Sequence, residues 1–391
     1  MPSGLWRELE EELAALKRGN LHRSVAAVQR RRAGTFSSEG ESLVNFGSND
    51  YLGLSCDPRL AAACSKAASR WGGGSGASRL VSGNLGVHVE LEGALADFKK
   101  EEAATVFSSG YLANLGAVTA LLGEKDVVLV DRLNHASLLD AARLSRAKLW
   151  VYPHADAGEA ERLLSRAGGF RRRLVVTDAY FSMDGDVAPL AALVSACRRH
   201  DASLLIDEAH STGVYGPTGA GCAEAAGLTG KIDVTVGTLS KALGGVGGFV
   251  AGSRLLKEYL TNRSRPYIYT TAPAPAASAA ALAALKILRK EPLRRARLWR
   301  GIRRFREAAV KHGFDLGGSE GPVAPIVIGD PARTVRLARR LREDGFYVPA
   351  IRFPSVPKGG DRLRVSITAA HSSADLDGLI AALVRARGAA R

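Results

Sequence analysis

Short apolar runs alternate with helix-forming stretches through the middle of this 391-residue chain. Each run is rich in Val, Leu or Ile and is bounded by polar residues or glycine, which is typical of strands buried on both faces. Helix-forming stretches such as Ala157–Arg166 and Leu190–His200 lie between several of them. The alternation predicts an α/β fold, with a mostly parallel seven-stranded sheet and helices on both faces. The predicted strands are Ala104–Phe107, Val127–Val130, Lys148–Val151, Leu174–Thr177, Ser203–Ile206, Asp233–Val236 and Gly248–Ala251.

The predicted sheet belongs to the middle one of three segments. Residues 1–45 are expected to form a helix and a basic connector, residues 46–285 the large domain, and residues 286–391 a smaller C-terminal α/β domain. One long helix is predicted from Ala276 to His312. The C-terminal domain adds strands at Pro325–Ile328 and Leu363–Ile367 and helices at Ala332–Asp344 and from Ala374.

The N-terminal helix is amphipathic, because apolar side chains recur in it at helical spacing. They are Trp6, Leu9, Leu13 and Leu16. This segment is rich in glutamate and does not resemble a secretory signal, and no apolar run approaches the length of a membrane span. We therefore expect a cytoplasmic protein without a membrane partner.

Polar side chains follow two of the predicted strands. Asp207 and His210 follow the strand that begins at Ser203, and Lys241 follows the strand that begins at Asp233. Ligands bind at the carboxyl ends of strands in an open α/β sheet. A lysine, an aspartate and a histidine that meet there suit pyridoxal phosphate (PLP). The lysine forms a Schiff base, the aspartate keeps the pyridine nitrogen protonated, and the histidine reaches the ring substituents.

These residues also have two other interpretations. A lone lysine after a strand is usually a solvated loop residue. The run Asp207–His210 also spells a helicase box, but that function requires a phosphate loop of the form G-x-x-x-x-G-K-[ST]. The glycine-rich Gly72–Gly76 lacks the lysine, and Ala242 stands after Lys241 where serine or threonine is needed. A nucleic-acid motor is therefore excluded.

The chain carries a formal net charge of +15, largely from arginine. Its arginine clusters are able to attract polyanions, but no zinc pattern, RNA-binding signature or helix-turn-helix spacing accompanies them. Most are expected to be solvated helix faces, and a minority to attract an anionic substrate such as coenzyme A. We expect no nucleic-acid partner. The clusters are Arg30–Arg32, Arg171–Arg173 and Arg294–Arg295.

The four cysteines are far apart and form no C-x-x-C pair. We therefore expect reduced thiols and no metal site. The cysteines are Cys56, Cys64, Cys197 and Cys222.

The chain resembles the α-oxoamine synthase family of fold-type I PLP enzymes, because several short motifs occur in it in the same order as in that family. These enzymes condense an amino acid with an acyl-CoA and release carbon dioxide. The resemblance covers nearly the whole chain and implies a PLP-dependent acyltransferase of that fold. The motifs are Ser48–Leu54, Gly76–Gly83, Ser109–Asn114, Leu133–Ser137, Phe181–Asp186, Asp207–His210, Thr238–Leu243, Tyr269–Thr271 and Pro349–Arg352.

The resemblance implies roles for residues around the cofactor ring. Lys241 is expected to hold PLP covalently and to act as the base at the substrate Cα. Asp207 is expected to pair with the ring nitrogen, so that the ring withdraws electrons. His135 is expected to stack on the ring, and Ser182 and His210 to bind its phenolic oxygen.

The cofactor phosphate needs N–H groups and hydroxyls. Gly110 and Tyr111, at a strand-to-helix turn, are expected to supply N–H groups from a helix N-terminus. Thr238 and Ser240 are expected to add hydroxyls.

By resemblance, Thr270 and Thr271 reach the phosphate of a neighbouring subunit, which implies a homodimer with shared active sites. Simple β-propensity is the alternative explanation of the threonine pair.

Three further residues are expected to contact substrate. Arg352 is placed to bind the substrate carboxylate through two parallel hydrogen bonds. Asn49 matches the family position near the reacting carboxylate and thioester. Arg23 aligns with an arginine that some members place near the acyl chain, although Arg30–Arg32 close by makes a solvated charge an equal alternative.

Within the family, the motifs are most similar to members that join L-alanine to a pimeloyl thioester in biotin synthesis, with a coenzyme A or carrier-protein donor. Members that join glycine to acetyl-CoA are the alternative. A nucleic-acid-binding protein on a PLP fold is the alternative from another class. Leu80 and Phe353 depart from the pattern near the substrate entrance and bear on acyl specificity.

Overall fold

The computed structural model describes residues 4–388. The strands are β1 Arg30–Arg32, β2 Thr35–Ser38, β3 Glu41–Asn45, β4 Ala103–Phe107, β5 Val127–Asp131, β6 Lys148–Tyr152, β7 Arg173–Asp178, β8 Ser203–Asp207, β9 Val234–Thr238, β10 Gly248–Gly252, β11 Val323–Val327, β12 Phe346–Tyr347, β13 Ala350–Ile351 and β14 Arg362–Ser366. The helices are α1 Gly4–Arg18, α2 Pro58–Trp71, α3 Gly86–Lys99, α4 Gly110–Leu121, α5 Ala136–Leu144, α6 Ala157–Ser165, α7 Leu190–Arg199, α8 Cys222–Ala225, α9 Arg254–Arg263, α10 Arg265–Ile268, α11 Pro275–Lys290, α12 Pro292–Lys311, α13 Pro331–Glu343 and α14 Ser373–Gly388, with a short 3₁₀ turn at Leu54–Cys56.

The chain divides into two compact units. The large unit comprises Asp50–Ser182 and Asp186–Ala296. The small unit comprises the described residues up to Asn49, the short segment Met183–Gly185, and the described residues from Arg297 onward.

This division differs from the predicted segments 1–45, 46–285 and 286–391, which stay a prediction. Strand β3 pairs in parallel with β12, so that the N-terminal hairpin and the C-terminal part of the chain form one unit. The second boundary falls inside α12 instead of before it. The predicted connector also contains the strands β1 and β2, which pair with each other.

The large unit is built on a seven-stranded sheet, in the order β4-β10-β9-β8-β7-β5-β6. Its strands are parallel except β10, which is antiparallel to both of its neighbours. The predicted fold class is confirmed, and each predicted strand of the sheet lies within one or two residues of its observed bounds. Apolar side chains of the sheet pack against α4 and α5 in a continuous core. It includes Val128, Val130, Val176 and Leu205 from the sheet, Ala113 from α4 and Leu138 from α5.

The carboxyl ends of the parallel strands bring polar residues to one edge of the sheet. Strands β7 and β8 pair in a register that sets Asp178 directly beside Asp207. Strand β5 ends at Asp131 and strand β9 at Thr238, three residues before Lys241. The parallel register thus collects at one edge the residues that the sequence places after separate strands.

The long helix predicted from Ala276 to His312 is wrong, because the structure has two helices there. Helix α11 ends at Lys290, and Glu291 leaves the helical region with φ −121° and ψ 63°. Pro292 then begins α12. A proline disfavours helical backbone in the residue before it and is well suited to the first turn of a helix, which explains the break.

The small unit contains two sheets. Strands β1, β2, β3 and β12 form one, and β11, β14 and β13 form the other. All five residues of β14 are buried. Helix α1 has no buried residue among those described, and Trp6 on its apolar face is 59% exposed. No helix in the described residues is long and apolar enough to span a bilayer.

Candidate active site

Lys241 lies beside His210 in the large unit. The Lys241 Nζ is 2.7 Å from His210 Nε2, and His210 Nδ1 is 2.6 Å from the Tyr51 hydroxyl. An ammonium group only donates hydrogen bonds. His210 therefore accepts at Nε2 and donates from Nδ1 to the Tyr51 oxygen. This chain of contacts gives Lys241 a neighbour that can take up its proton.

The Asp207 carboxylate is fixed on both of its oxygens. Asn114 Nδ2 donates to Oδ2 at 2.6 Å, and the backbone N–H of Ala209 donates to Oδ1 at 2.7 Å. Asn114 lies in the first half of α4, so this helix helps to hold the carboxylate in place. Asp207 is 6% exposed, and a buried carboxylate held in this way suits a cationic partner such as a protonated ring nitrogen.

His135 precedes α5, and its backbone N–H donates to Asp178 Oδ2 at 2.7 Å. Ser137 Oγ accepts a hydrogen bond from Asn114 Nδ2, so its own hydroxyl donates to His135 Nδ1 at 2.7 Å. His135 as a whole residue is exposed, which leaves space beside it for a cofactor. Surrounding protein atoms lower the pKa of His135, and the charge of Asp207 opposes them. His135 is therefore suited to act as a neutral imidazole with the proton on Nε2.

Asp178 is the second carboxylate at this edge of the sheet. Burial and the adjacent charge of Asp207 raise the pKa of Asp178 well above its ordinary value. Two neighbouring carboxylates rarely share a buried site in the charged form. The protonated form of Asp178 is thus favoured beside the Asp207 carboxylate.

The residues predicted to bind the cofactor phosphate lie around the N-terminus of α4. Ser109 caps the helix by accepting from the Leu112 N–H at 3.1 Å. Gly110 lies so close to β9 that a Cβ added to it would be 3.3 Å from the Thr238 Cβ. The Thr238 and Ser240 hydroxyls are 2.8 Å apart. N–H groups at a helix start beside two hydroxyls fit a phosphate.

The side chain of Tyr111 points elsewhere, because its hydroxyl donates to Asp140 Oδ2 at 2.5 Å. That contact is the main cause of a raised pKa of Tyr111. Only the backbone of Tyr111 is therefore suited to the predicted phosphate role.

Thr270 and Thr271 follow α10. Thr271 forms a β-bridge with Ser78, and its side chain is exposed, so it is available to another molecule.

The three predicted substrate residues all lie in the small unit. Arg352 Nη1 donates to the Asn20 carbonyl at 2.6 Å, and Arg23 Nη2 donates to Ser355 Oγ at 3.3 Å. Burial and then the nearby charge of Arg23 lower the pKa of Arg352.

Asn49, the third of these residues, is oriented by a buried arginine. Its Oδ1 accepts from Arg364 Nη2 at 3.1 Å, and Arg364 Nη1 donates to Ser366 Oγ at 2.9 Å. Arg364 is 4% exposed, so the orientation of the Asn49 amide is well defined.

Three residues around the site were not singled out from the sequence. They are Tyr51, which contacts His210, Asn114, which contacts Asp207, and Asp178. Tyr51 and Asn114 lie inside motifs of the resemblance, and Asn114 is a buried amide in a mostly apolar helix. Those signals were available, whereas the position of Asp178 depends on strand register.

The residues present fit PLP. Lysine and carboxylate lie at the same edge as the N–H groups of a helix start, and the Oδ1 of Asn114 is buried without a partner among the described residues, as expected of a site arranged for further polar groups. No group of three or more histidine, cysteine or acidic side chains within residues 4–388 could hold a metal ion.

The chain is similar to known proteins over most of its length. The family described as aminotransferase class I and II matches residues 41–383. A protein of Anaeromyxobacter dehalogenans named 8-amino-7-oxononanoate synthase is 50% identical over 372 residues, which are 95% of this chain and 93% of the relative.

Two solved structures are similar over most of the chain. A high-resolution structure of SPT with PLP has a TM-score of 0.94 and 32% identity, and covers 100% of this chain and 99% of that one. The 8-amino-7-oxononanoate synthase of Francisella tularensis has a TM-score of 0.78 and 28% identity, with 89% of this chain and 98% of that one covered.

The chain therefore belongs to the aminotransferase class I and II family. The predicted resemblance, the PLP cofactor and the assignment as an enzyme are confirmed. The roles of the individual site residues stay predictions.

Proposed function

We propose that this chain catalyses the decarboxylative condensation of L-alanine with a pimeloyl thioester to form 8-amino-7-oxononanoate, a step of biotin synthesis. The observation that carries this proposal is the 50% identity to a synthase of that name over 95% of the chain. A relative from Alkalilimnicola ehrlichii with the same name is 48% identical over 98% of the chain. The site residues described above supply the groups that the reaction needs.

Bound PLP supplies an electron sink for negative charge at the substrate Cα, which serves both bond formation to the acyl carbon and loss of carbon dioxide. Lys241 is the group that removes and returns the Cα proton, and His210 at 2.7 Å accepts or supplies that proton. Asp207, held by Asn114, keeps the ring nitrogen protonated. Carbon dioxide and the free thiol leave.

The finer assignment concerns the substrate carboxylates. Arg352 is the proposed binding group for a carboxylate, and the neighbouring Arg23 for the distal carboxylate of the pimeloyl chain. Mutual repulsion of the two cations contributes to the lowered pKa of Arg352. A bound anion would relieve that repulsion, so this pair suits a substrate with negative charge.

We further propose a cytoplasmic homodimer with shared active sites. Helix α1 leaves its apolar face uncovered in the described chain, and the side chain of Thr271 is exposed. A second copy of the chain would bury the apolar face of α1. Its active site would also bind the Thr271 side chain.

A substrate matrix tests the proposed function. Alanine, glycine and serine are each combined with acetyl-, succinyl-, pimeloyl- and palmitoyl-CoA and with a pimeloyl carrier protein, and thiol release is followed. Alanine with a pimeloyl donor should give the highest kcat/KM. One methyl group is worth only about 1–3 kcal/mol of discrimination, so some activity with glycine is expected.

The same assay tests whether Arg23 binds the distal carboxylate of the pimeloyl chain. Arg23→Ala should raise the KM for pimeloyl-CoA and leave an uncharged donor of similar length unaffected, whereas Arg30→Ala should change neither. Glycine with acetyl-CoA as the best pair would replace the proposal with a glycine C-acetyltransferase. Salt-dependent DNA binding without condensation activity would replace it with a nucleic-acid-binding protein.

A further inference from the structure

His154 follows strand β6 and forms two hydrogen bonds to carboxylates. Its Nδ1 is 3.1 Å from Asp131 Oδ1, and its Nε2 is 2.8 Å from Asp186 Oδ2. Carboxylates only accept hydrogen bonds, so both ring nitrogens must donate, which requires the imidazolium form. Burial alone would lower the pKa of His154, but the two hydrogen bonds overcome it and raise the pKa to about 10.

The first carboxylate organises the loop that leads to His135. Asp131 ends strand β5 and also accepts from the Leu133 N–H at 2.8 Å and the Ala155 N–H at 2.7 Å. The side chain of Asn134, the next residue of the loop, forms two hydrogen bonds with the backbone of strand β7. His154 therefore joins a network of hydrogen bonds that ends at the histidine predicted to stack on the cofactor.

The second carboxylate organises the loop that begins with Ser182. The Phe181 N–H donates to the Asp186 carbonyl at 2.9 Å, so the two ends of this loop are closed against each other. The His154 ring also meets the Phe181 ring edge to face, with centroids 4.4 Å apart. His154 thus contacts the residue before Ser182 and the residue that closes the loop.

We propose that His154 is a positioning residue for the cofactor site, because it holds together the loop that ends at His135 and the loop that begins at Ser182. It touches no reacting atom itself. The charged groups that contact it are Asp131 from strand β5 and Asp186 from the loop after β7. The inference rests on the proposed cofactor roles of His135 and Ser182.

Removing the cation should separate the two loops. Asp186 Oδ1 is buried without a partner among the described residues, so the hydrogen bond from His154 to Oδ2 matters for this carboxylate. Without the imidazolium the two carboxylates would repel each other and draw in water. The hydroxyl of Ser182 and the ring of His135 would then move away from the cofactor ring.

The test compares His154→Ala and His154→Gln with the wild type. PLP is titrated into the cofactor-free proteins to obtain a dissociation constant, and the visible absorbance of the loaded proteins is followed against pH. His154→Ala should weaken PLP binding roughly tenfold and shift the pH at which the absorbance changes. The amide of His154→Gln can still donate to Asp186. The PLP affinity and absorbance profile of this variant should therefore lie between those of His154→Ala and the wild type.

The matched control is His200→Ala, which removes another histidine–carboxylate pair, with Glu161 at 3.6 Å, away from both loops. It should leave PLP affinity and the absorbance profile unchanged. Variants of His154 that lower the thermal midpoint of the cofactor-free protein, yet keep the wild-type PLP affinity and profile, would show a merely structural role and overturn the inference. A wild-type protein that binds no PLP would instead refute the proposed function.

Discussion

The Asp207 carboxylate accepts from Asn114 and from the Ala209 N–H, and lies beside Asp178 across two paired strands. Burial and the charge of Asp207 favour the protonated form of Asp178. A protonated Asp178 adds no negative charge beside Asp207. A single charged carboxylate at this position is what a protonated pyridine nitrogen requires.

Replacing Asp207 with asparagine tests that requirement. The neutral amide keeps the shape of the side chain but cannot hold the proton on the ring nitrogen. Asp207→Asn should therefore retain PLP and lose turnover by about 10⁴-fold, by analogy with other orienting carboxylates. Steady-state kinetics on the PLP-loaded variant measure this loss.

Asp233→Asn is the control, because that carboxylate caps the opposite end of the sheet by accepting from the Leu204 N–H at 2.8 Å. It should keep near-normal turnover. Equal activities of the two variants would reduce Asp207 to a structural residue.

Several of the candidate site residues were predictable because they lie in motifs with a known order. Asp207 ends a strand whose apolar pattern is clear, and His210 and Lys241 follow such strands. Asp178 was not predictable in this way. Its place beside Asp207 depends on how β7 and β8 align, and no local pattern in either strand specifies that register.

Helix α4 and strand β10 approach each other closely at the predicted phosphate site. A Cβ added to Gly248 at the start of β10 would lie 2.5 Å from the Gly110 nitrogen. That distance is too short for any side chain. The helix start is thus placed where its N–H groups can meet a phosphate only because Gly248 has no side chain.

Gly248→Ala should displace the start of α4. We expect a loss of roughly 1–3 kcal/mol in the free energy of unfolding, as for other overpacked sites, together with weaker PLP binding. Gly93→Ala is the matched control, because a Cβ there meets nothing within 4 Å in the middle of α3. It should stabilise the protein by about 0.5–1 kcal/mol. Unchanged PLP affinity in Gly248→Ala would argue against a phosphate at this helix start.

His371 lies between β14 and α14 and makes the small unit sensitive to acid. Burial lowers the pKa of His371 to about 4, although its bond to the Asn45 carbonyl opposes the shift. The Thr368 N–H donates to its Nδ1, so protonation there would break a hydrogen bond. Between about pH 6.5 and pH 4 the unfolded chain binds a proton that the folded chain does not, and stability falls as the pH falls.

Because of His371, the free energy of unfolding should fall by roughly 2 kcal/mol between pH 7 and pH 5. Denaturant unfolding at the two pH values measures it. His371→Gln should lose that much less stability on acidification than the wild type, whereas the exposed His312→Gln should behave as the wild type does. Equal pH dependence of stability in the wild type and both variants would refute the assignment of this effect to His371.

Element bounds were mostly predictable, because apolar runs of period two or 3.6 mark strands and helices. The break between α11 and α12 was missed since helical periodicity continues on both sides of Pro292. The hairpin of β1 and β2 was missed because Arg30–Arg32 are exposed and show no apolar pattern.

At the scale of the whole molecule, the two units were not predictable from local patterns. The small unit joins the first described residues to the last through the pairing of β3 with β12. Such long-range pairing leaves no mark on either segment. The sequence did indicate that helix α1 is amphipathic, and the structure shows that its apolar face remains uncovered among the described residues.

Disrupting that face tests the proposed dimer. The double change Trp6→Glu and Leu13→Glu places charges on the apolar side of α1, so it should shift the sedimentation coefficient toward that of a monomer. Glu11→Lys changes the charge on the opposite side of the same helix and should leave the dimer intact. A wild-type protein that sediments as a monomer, or a double variant that stays dimeric, would contradict this interface.

Lys241 is proposed to bind the cofactor covalently at the carboxyl edge of the sheet. The most direct measurement is borohydride reduction of the PLP-loaded protein followed by proteolysis and mass spectrometry of the peptides. We predict that the reduced cofactor is attached to the peptide containing Lys241, and that Lys241→Ala gives no labelled peptide. Attachment to another lysine, or no attachment in a protein supplied with PLP, would contradict the account.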